Sequence, residues 1–146
     1  MTSKPKLYVG CSLTHAPEAF KQQIKQLKIT LNHHYEIFEF VGLISGTEQG
    51  VYQWDVGQCI PQSDVVLAIC DYPSLGLGYE IATAVERHHK PVLAVAHADA
   101  RVTRLILGVQ APGYTFKRYQ NMAEIPNLLQ AHLAALTPLS DIINET

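Results

Sequence analysis

The sequence predicts an α/β fold in which a parallel sheet is covered by helices on both faces. Short apolar runs alternate with segments of helical periodicity along the 146 residues, and this alternation is typical of βαβ units. In addition, DVVLAICD (64–71) is almost continuously apolar, as expected of a strand buried on both faces. The predicted architecture is a three-layer αβα, Rossmann-like (flavodoxin-like) fold with a five-stranded parallel sheet.

The five strands are predicted at apolar runs that end in small or polar residues. KLYVGCS forms the first run and YEIFEFVG the second, and PVLAVAH and YTFKRY follow the buried run. The predicted strands are residues 6–12, 35–42, 64–71, 91–97 and 114–119. The Gly-rich segment GLISGTEQG (42–50) is interpreted as a mobile loop near a ligand.

Helices are predicted between the strands. The first runs from His15 to Asn32, because Phe20, Ile24, Leu27 and Leu31 recur at helical spacing. The others are a short helix within 51–63 that ends around Pro61, a helix from Leu77 to His89, a helix at 100–108 and a closing helix at 121–136. Pro126 is expected to displace or kink the first turn of the closing helix.

Composition restricts the classes of protein to consider. With 47% hydrophobic and 16% charged residues, the chain is expected to form a single domain over 1–146, with 137–146 as a loose tail. A net charge of −2 and the lack of a basic run argue against a nucleic-acid polymer as partner. The lack of a long apolar stretch argues against a membrane segment or signal peptide. Three widely spaced cysteines indicate a reducing compartment, so a cytoplasmic location is expected.

A small anionic ligand is compatible with this charge. In open parallel sheets, ligands lie beyond the carboxyl ends of the strands, where the strand order reverses. Three loops follow predicted strand ends, at 10–14, 72–78 and 97–99. The Gly and Ser residues of the first two loops suit an anion held by backbone N–H groups and hydroxyls.

Two carboxylates stand out, and each has two interpretations. Glu80 follows a Ser- and Gly-rich loop, and it is either a first-turn residue that interacts with the helix dipole or a nucleophile. Asp55 follows Tyr52 and Trp54, and it is either a solvated helix residue or a second catalytic carboxyl group. A carboxylate nucleophile and a proton donor are the two groups that cleavage of a glycosidic bond requires.

Other chemistries are disfavoured by spacing. Ser74, Gly76 and Gly78 do not complete a dinucleotide fingerprint, because its third glycine position holds Ile81. The P-loop lysine pattern is also lacking. The seven histidines show no metal-binding spacing, so neither a metal nor a cofactor is predicted. Cys11 has no histidine beside it in sequence and is interpreted as a small buried thiol.

Three segments carry a resemblance to a known family. They are LYVGCSLT, the Asp55 that precedes SDVVLAICD, and PSLGLGYEIATAVERHHKPVLAV. Together they resemble the nucleoside 2-deoxyribosyltransferase family. The string Pro-Ser-Leu-Gly-x-Gly-Tyr-Glu looks most like the family's 2′-deoxynucleoside 5′-phosphate N-hydrolase branch. The resemblance runs from about Leu7 to Gly108.

The resemblance implies roles for particular residues. Glu80 matches the nucleophile, Asp55 the carboxyl group that helps to protonate the leaving base, and Tyr8 the tyrosine that orients the nucleophile. Thr103 matches a hydroxyl supplied by a neighbouring subunit, which implies a homodimer or a dimer of dimers. The residues implied in binding the substrate and its phosphate are Cys11, Ser12, Ser74, Gly76, Gly78 and Thr103.

Three departures from the family pattern bear on these roles. One is that no residue of this chain matches the C-terminal asparagine that positions the nucleophile in the free-nucleoside transferases. The phosphate-hydrolase branch carries an arginine two residues after the strand-one serine, where this chain has Thr14. A guanidinium that binds phosphate through two hydrogen bonds is therefore missing from that loop. The interval from Asp55 to Asp64 is also one residue longer than in the family.

The resemblance implies that the chain cleaves the N-glycosidic bond of 2′-deoxynucleosides or their 5′-monophosphates through a glycosyl-glutamate intermediate. Water as acceptor gives a hydrolase, and a second nucleobase gives a transferase. Two alternatives stay open. One is a ribonucleotide N-glycosidase acting on a substrate such as CMP. The other is a non-catalytic module that binds a nucleotide.

Overall fold

Five parallel strands form one sheet in the order β2-β1-β3-β4-β5. The computed structural model describes residues 3–39 and 46–136. The strands are β1 (Lys6–Cys11), β2 (Glu36–Glu39), β3 (Val65–Ile69), β4 (Val92–His97) and β5 (Tyr114–Tyr119). This order is that of flavodoxin-like folds, whose switch point lies between β1 and β3. The predicted fold class is therefore confirmed.

Helices flank the sheet. They are α1 (Glu18–Leu31), α2 (Glu48–Trp54), α3 (Ile60–Gln62), α4 (Leu75–Ala82), α5 (Arg104–Leu107) and α6 (Ile125–Ala135). A π turn, Asp55–Cys59, joins α2 to α3, and a second, Thr83–Arg87, extends α4. A 3₁₀ turn, Met122–Glu124, precedes α6, so the predicted disturbance near Pro126 is confirmed. No helix in the described part of the chain is long and apolar enough to cross a membrane.

Several predicted boundaries were wrong, and capping explains most of them. Helix α1 begins three residues after His15, because extended Pro17 occupies its N-cap position. The segment expected as a loop at 42–50 contains the start of α2 at Glu48, with the Thr47 side chain capping Gly50 N–H. The helix expected at 100–108 is limited to Arg104–Leu107, after the N-cap residue Thr103. The end of the predicted second strand and the start of the predicted loop, together residues 40–45, lie outside the described residues. The predicted tail, 137–146, lies outside them as well.

The sheet separates two apolar cores. Alternate residues of β1 and β3, such as Leu7 and Leu67, pack with α1 and α6 on one face. The intervening residues, such as Tyr8 and Val66, pack with the α3 and α4 side on the other. Tyr8 is fully buried in this second core, although its hydroxyl is polar. A buried phenol requires a hydrogen-bond partner, and that partner defines the candidate site.

Candidate active site

The Tyr8 hydroxyl donates a hydrogen bond of 2.7 Å to Glu80 Oε2. Tyr8 projects from β1 and Glu80 from α4, the helix that follows β3, so the contact spans 72 residues of sequence at the switch point of the sheet. Ser74 is the N-cap residue of α4, and its side chain accepts a hydrogen bond from the N–H of Leu77. This cap fixes the start of the helix and therefore the direction in which Glu80 projects.

Glu80 does not lie in the first turn of its helix. Because α4 begins at Leu75, two residues before the predicted start at Leu77, Glu80 is the sixth helical residue. The helix dipole acts mainly within the first turn, so the interpretation of Glu80 as a dipole-stabilised carboxylate is wrong. Burial instead raises the pKa of Glu80 to about 7, although the hydrogen bond from Tyr8 opposes this shift.

Asp55 lies on the same side of the sheet. Only 3% of its surface is exposed, so the interpretation as a solvated helix residue is also wrong. Burial raises the pKa of Asp55 to about 6, and its charge in turn raises the pKa of Tyr8 and of Glu80. Asp55 Oδ1 is buried and makes no hydrogen bond with the residues described. A buried carboxyl oxygen without a partner is available to a ligand.

A π turn positions Asp55. Asp55 caps α2 and is the first residue of the turn Asp55–Cys59. A π turn contains one residue more than an α-helical turn. The turn can therefore absorb the additional residue between Asp55 and Asp64 while Asp55, Val56 and Cys59 stay buried.

Two residues of this site had not been predicted from the sequence. Cys59 is 1% exposed. Burial and the charges of Asp55 and Glu80 raise its pKa to about 12, so it presents a neutral thiol beside both carboxyl groups. Gly10 lies against Glu80, since a Cβ at Gly10 would stand 3.0 Å from Glu80 Oε2 and 2.9 Å from Leu77 Cδ1. A glycine within a predicted strand, two residues after Tyr8, is the sequence feature that pointed to this close approach.

Gly10→Ala tests how closely Glu80 must be held. The new methyl group would displace the Leu77 side chain and the Glu80 carboxylate from the Tyr8 hydroxyl. Both are ends of flexible side chains, so we expect a modest loss of stability, about 1 kcal/mol. Misplacing a reactive group can cost up to about 10²-fold in rate, and we expect a loss of that order in kcat/KM of the reaction in which Glu80 takes part. Gly57→Ala is the control, since a Cβ there meets nothing within 4 Å. Equal activity of the two variants would contradict the prediction.

The residues implied in phosphate binding lie beside this site. A cavity of about 920 Å³ is lined by Ser12, Ser74, Gly78 and Thr103. Ser12 Oγ donates to Pro73 O at 3.3 Å, which ties the strand-one loop to the start of α4. Leu77 lines the cavity and also contacts the Gly10 position next to Glu80, so the cavity adjoins the carboxylate. Tyr8, Asp55, Glu80, Cys11 and Gly76 are not among the residues that line it.

The third predicted loop lies apart from this site. His97 and Asp99 line a separate cavity of about 610 Å³, together with Asp71 and Tyr119. Asp71 Oδ2 accepts hydrogen bonds from the Tyr119 hydroxyl at 2.6 Å and from His97 N–H at 3.2 Å. These contacts connect the ends of β3, β4 and β5. Within 3–39 and 46–136, no group of three or more His, Cys, Asp or Glu residues could hold a metal ion.

Two curated proteins that are similar in sequence to this chain carry the same name. A Methanosarcina barkeri protein named as a 2′-deoxynucleoside 5′-phosphate N-hydrolase is 31% identical over 90 residues, which are 62% of this chain and 55% of that protein. A Syntrophotalea carbinolica protein of the same name is 35% identical over 75 residues, 51% of this chain and 52% of that protein. The chain thus spans about half the length of these curated relatives. No family model matches the chain.

Solved structures share the fold. A Clostridium botulinum CMP N-glycosidase superposes with a TM-score of 0.68 at 18% identity, covering 86% of this chain and 98% of that one. A 2-deoxyribosyltransferase of Bacillus psychrosaccharolyticus gives 0.56 at 17% identity, covering 84% and 90%. The N-terminal domain of the nisin resistance regulator NsrR gives 0.58 at 16% identity, covering 90% and 99%. Proteins with different functions therefore share this fold.

Fold and site together define an α/β protein with a buried tyrosine–carboxylate pair at the switch point of its sheet. The resemblance to the nucleoside 2-deoxyribosyltransferase family is confirmed. Curated relatives carry the name of its N-hydrolase branch, and a 2-deoxyribosyltransferase has the same fold.

Proposed function

We propose that this chain cleaves the N-glycosidic bond of 2′-deoxynucleosides or their 5′-monophosphates, with Glu80 as nucleophile and Asp55 as proton donor. The observation that carries the proposal is the 2.7 Å hydrogen bond from Tyr8 to a largely buried Glu80, beside a second buried carboxyl group whose pKa is also raised. Two neighbouring carboxyl groups, one ionised and one protonated, suit a nucleophile and a general acid. The names of the sequence relatives support the same reaction.

The chemistry would proceed in two steps. A Glu80 carboxylate oxygen bonds to the anomeric carbon of the sugar as the bond from that carbon to the base nitrogen breaks. The electron pair of this bond leaves with the base, and Asp55 transfers its proton to the base. In the second step, water attacks the anomeric carbon, gives its proton to Asp55 and releases the Glu80 carboxylate. A second nucleobase in place of water gives transfer of the sugar.

The tyrosine assists as a positioning residue. Its hydroxyl binds Glu80 Oε2 and leaves the other carboxylate oxygen to attack. The hydrogen bond also favours the ionised form of Glu80, because it lowers a pKa that burial raises. This contact argues against the alternative of a non-catalytic binding module, for which Tyr8 and Glu80 need not meet.

The substrate is identified by chromatography of the released base. Deoxynucleosides, their 5′-monophosphates and CMP are incubated with the protein, with and without an acceptor base. Release from deoxy substrates supports the proposal, and dependence on the acceptor separates transfer from hydrolysis. Release from CMP alone supports the ribonucleotide alternative, for which the fold of the CMP N-glycosidase is a precedent. No release from any substrate would leave only the binding module.

We also propose that the chain acts in the cytoplasm as a homodimer. The cavity beside the site is lined mainly by apolar side chains, and at its rim Leu75 is 97% exposed and Leu105 78% exposed. Large exposed apolar patches mark association surfaces. A second copy of the chain is the partner that the family resemblance implies.

Leu105→Asp should therefore produce a monomer. A carboxylate on this apolar surface would be buried without a partner in the dimer. Leu107→Asp is the matched control, because Leu107 lies on the same short helix and does not line the cavity. Light scattering after size-exclusion chromatography measures the mass of each variant. A wild-type monomer, or a dimer that survives Leu105→Asp, would contradict this surface.

A further inference from the structure

One cavity brings together side chains from three loops. Ser12, Thr14 and His15 follow β1, Ser74 precedes α4, and Arg101 and Thr103 precede α5. Apart from these polar groups, the lining is mostly aliphatic. Its acidic member is Glu86, which is exposed. A cation and several hydroxyls in an aliphatic cavity suit an anionic group attached to a less polar body.

Arg101 is available to a ligand. Its side chain is exposed, and within 3–39 and 46–136 it makes no hydrogen bond or ion pair. Arg118, by contrast, is engaged, because it donates to Ala100 O at 2.6 Å and to His97 O at 3.0 Å. These hydrogen bonds hold the backbone at Ala100, next to Arg101, in place. On its other side, the Thr103 side chain caps α5 by accepting the N–H of Leu105.

The loop after β1 cannot supply such a cation. Position 14 is threonine, which carries no charge. Ser12 carries only a hydroxyl, and the residue is 4% exposed. The other basic side chain of the cavity is His15, whose imidazole lacks the forked donors of a guanidinium. Arg101 is thus the one permanent positive charge among the residues that line this cavity.

We propose that Arg101 binds the 5′-phosphate of the substrate, together with the hydroxyl of Ser74. The inference rests on the proposed function, and it assigns to Arg101 the cationic role that the family's strand-one arginine, absent at Thr14, would otherwise fill. A guanidinium can bind a phosphate through two parallel hydrogen bonds. The arginine comes from the loop before α5 rather than from the loop after β1.

Arg101→Ala should lower kcat/KM for 2′-deoxynucleoside 5′-monophosphates by about 10- to 100-fold, the range for loss of a charged hydrogen bond. It should leave kcat/KM for the corresponding free deoxynucleosides unchanged. Arg104→Ala is the matched control, since Arg104 lies three residues further on and does not line the cavity. Because Thr14 lines the same cavity, adding Thr14→Arg to Arg101→Ala should restore part of the monophosphate activity. An unchanged ratio of monophosphate to nucleoside activity in Arg101→Ala would overturn the inference.

A binding measurement separates this inference from the proposed function. Titration calorimetry with 2-deoxyribose 5-phosphate, and with 2-deoxyribose as the uncharged control, requires no turnover. We expect the phosphorylated sugar to bind the wild-type protein and to bind Arg101→Ala at least tenfold more weakly. If no base is released from any substrate while Arg101 still determines this affinity, the phosphate site stands and the proposed reaction fails. Equal affinity of wild type and Arg101→Ala would overturn the site even if the reaction is confirmed.

Discussion

Replacing Glu80 with glutamine should abolish release of the base, with a loss of at least about 10⁴-fold in kcat. Losses of this size or larger follow removal of a nucleophile in other enzymes. Glutamine has nearly the same size, and its amide oxygen can still accept the hydrogen bond from Tyr8. The variant therefore removes the nucleophilic oxygen and leaves the packing of α4 in place.

The measurement has two parts. Chromatography gives the rate of base release, and mass spectrometry of acid-quenched protein detects a sugar bound to the peptide that contains Glu80. Wild type should show the adduct and Glu80→Gln should not. Glu18→Gln is the control, because Glu18 is an exposed residue of α1, on the other face of the sheet from Glu80. Base release at the wild-type rate by Glu80→Gln would show that another group performs the chemistry.

Stability separates a chemical effect from unfolding. The pKa of Glu80 in the folded protein, about 7, lies above the ordinary value of 4.5 for a glutamate. The contribution of this group to stability is therefore greatest below pH 4.5 and is lost as the pH rises through 7. Glutamine cannot ionise, so Glu80→Gln should have a Tm at pH 8 at least equal to that of wild type. A lower Tm at pH 8 would attribute the loss of activity to folding.

The fold was predictable because a parallel sheet leaves strong patterns. β3 is buried at all five positions, and α1 shows buried residues at helical spacing. Both patterns come from burial, which local sequence records directly. Helix ends were less predictable, since they depend on caps such as Thr103 and Ser74. A four-residue helix after an irregular segment has too few residues to show a period.

The candidate site was predictable only in part. Glu80, Asp55 and Tyr8 were named from a resemblance, and their proximity depends on tertiary structure, with 72 residues between Tyr8 and Glu80. Periodicity assigns Asp55 to a helix and cannot tell which face is buried where a π turn interrupts the helix. Arg101 was missed because no local motif surrounds it, and only the cavity relates it to Ser12 and Ser74.

The second large effect concerns Asp55. The two carboxyl groups influence each other, so their apparent pKa values belong to the pair. The reactive form has one proton, with Asp55 protonated and Glu80 ionised. Burial raises the pKa of Asp55 to about 6 and that of Glu80 to about 7, so the reactive form is the less populated of the two singly protonated forms. The wild-type profile of kcat/KM against pH should therefore be bell-shaped, with limbs near these two values and a maximum between them.

Asp55→Asn should lower kcat by about 10²- to 10⁴-fold, the usual contribution of a general acid. It should also change the shape of the profile. The alkaline limb disappears, because asparagine has no proton to lose. The acidic limb that remains reports the ionisation of Glu80 alone, whose pKa falls when the Asp55 charge is removed. A merely structural role for Asp55 would lower the rate and leave the alkaline limb in place.

The leaving group provides the decisive comparison for Asp55. In a 2-deoxyriboside of 4-nitrophenol, the 4-nitrophenolate leaves as a stable anion and needs no proton. A general acid therefore contributes little to the cleavage of this substrate. Asp55→Asn should therefore retain most of its activity on this substrate while losing activity on nucleosides. Glu80→Gln should lose activity on both, because each substrate requires the nucleophile. Asp99→Asn is the control, since its carboxylate is 92% exposed and lines the other cavity. Equal losses on the two substrates in Asp55→Asn would contradict a role in protonating the base and would leave Asp55 as a residue that orients Glu80 or the sugar.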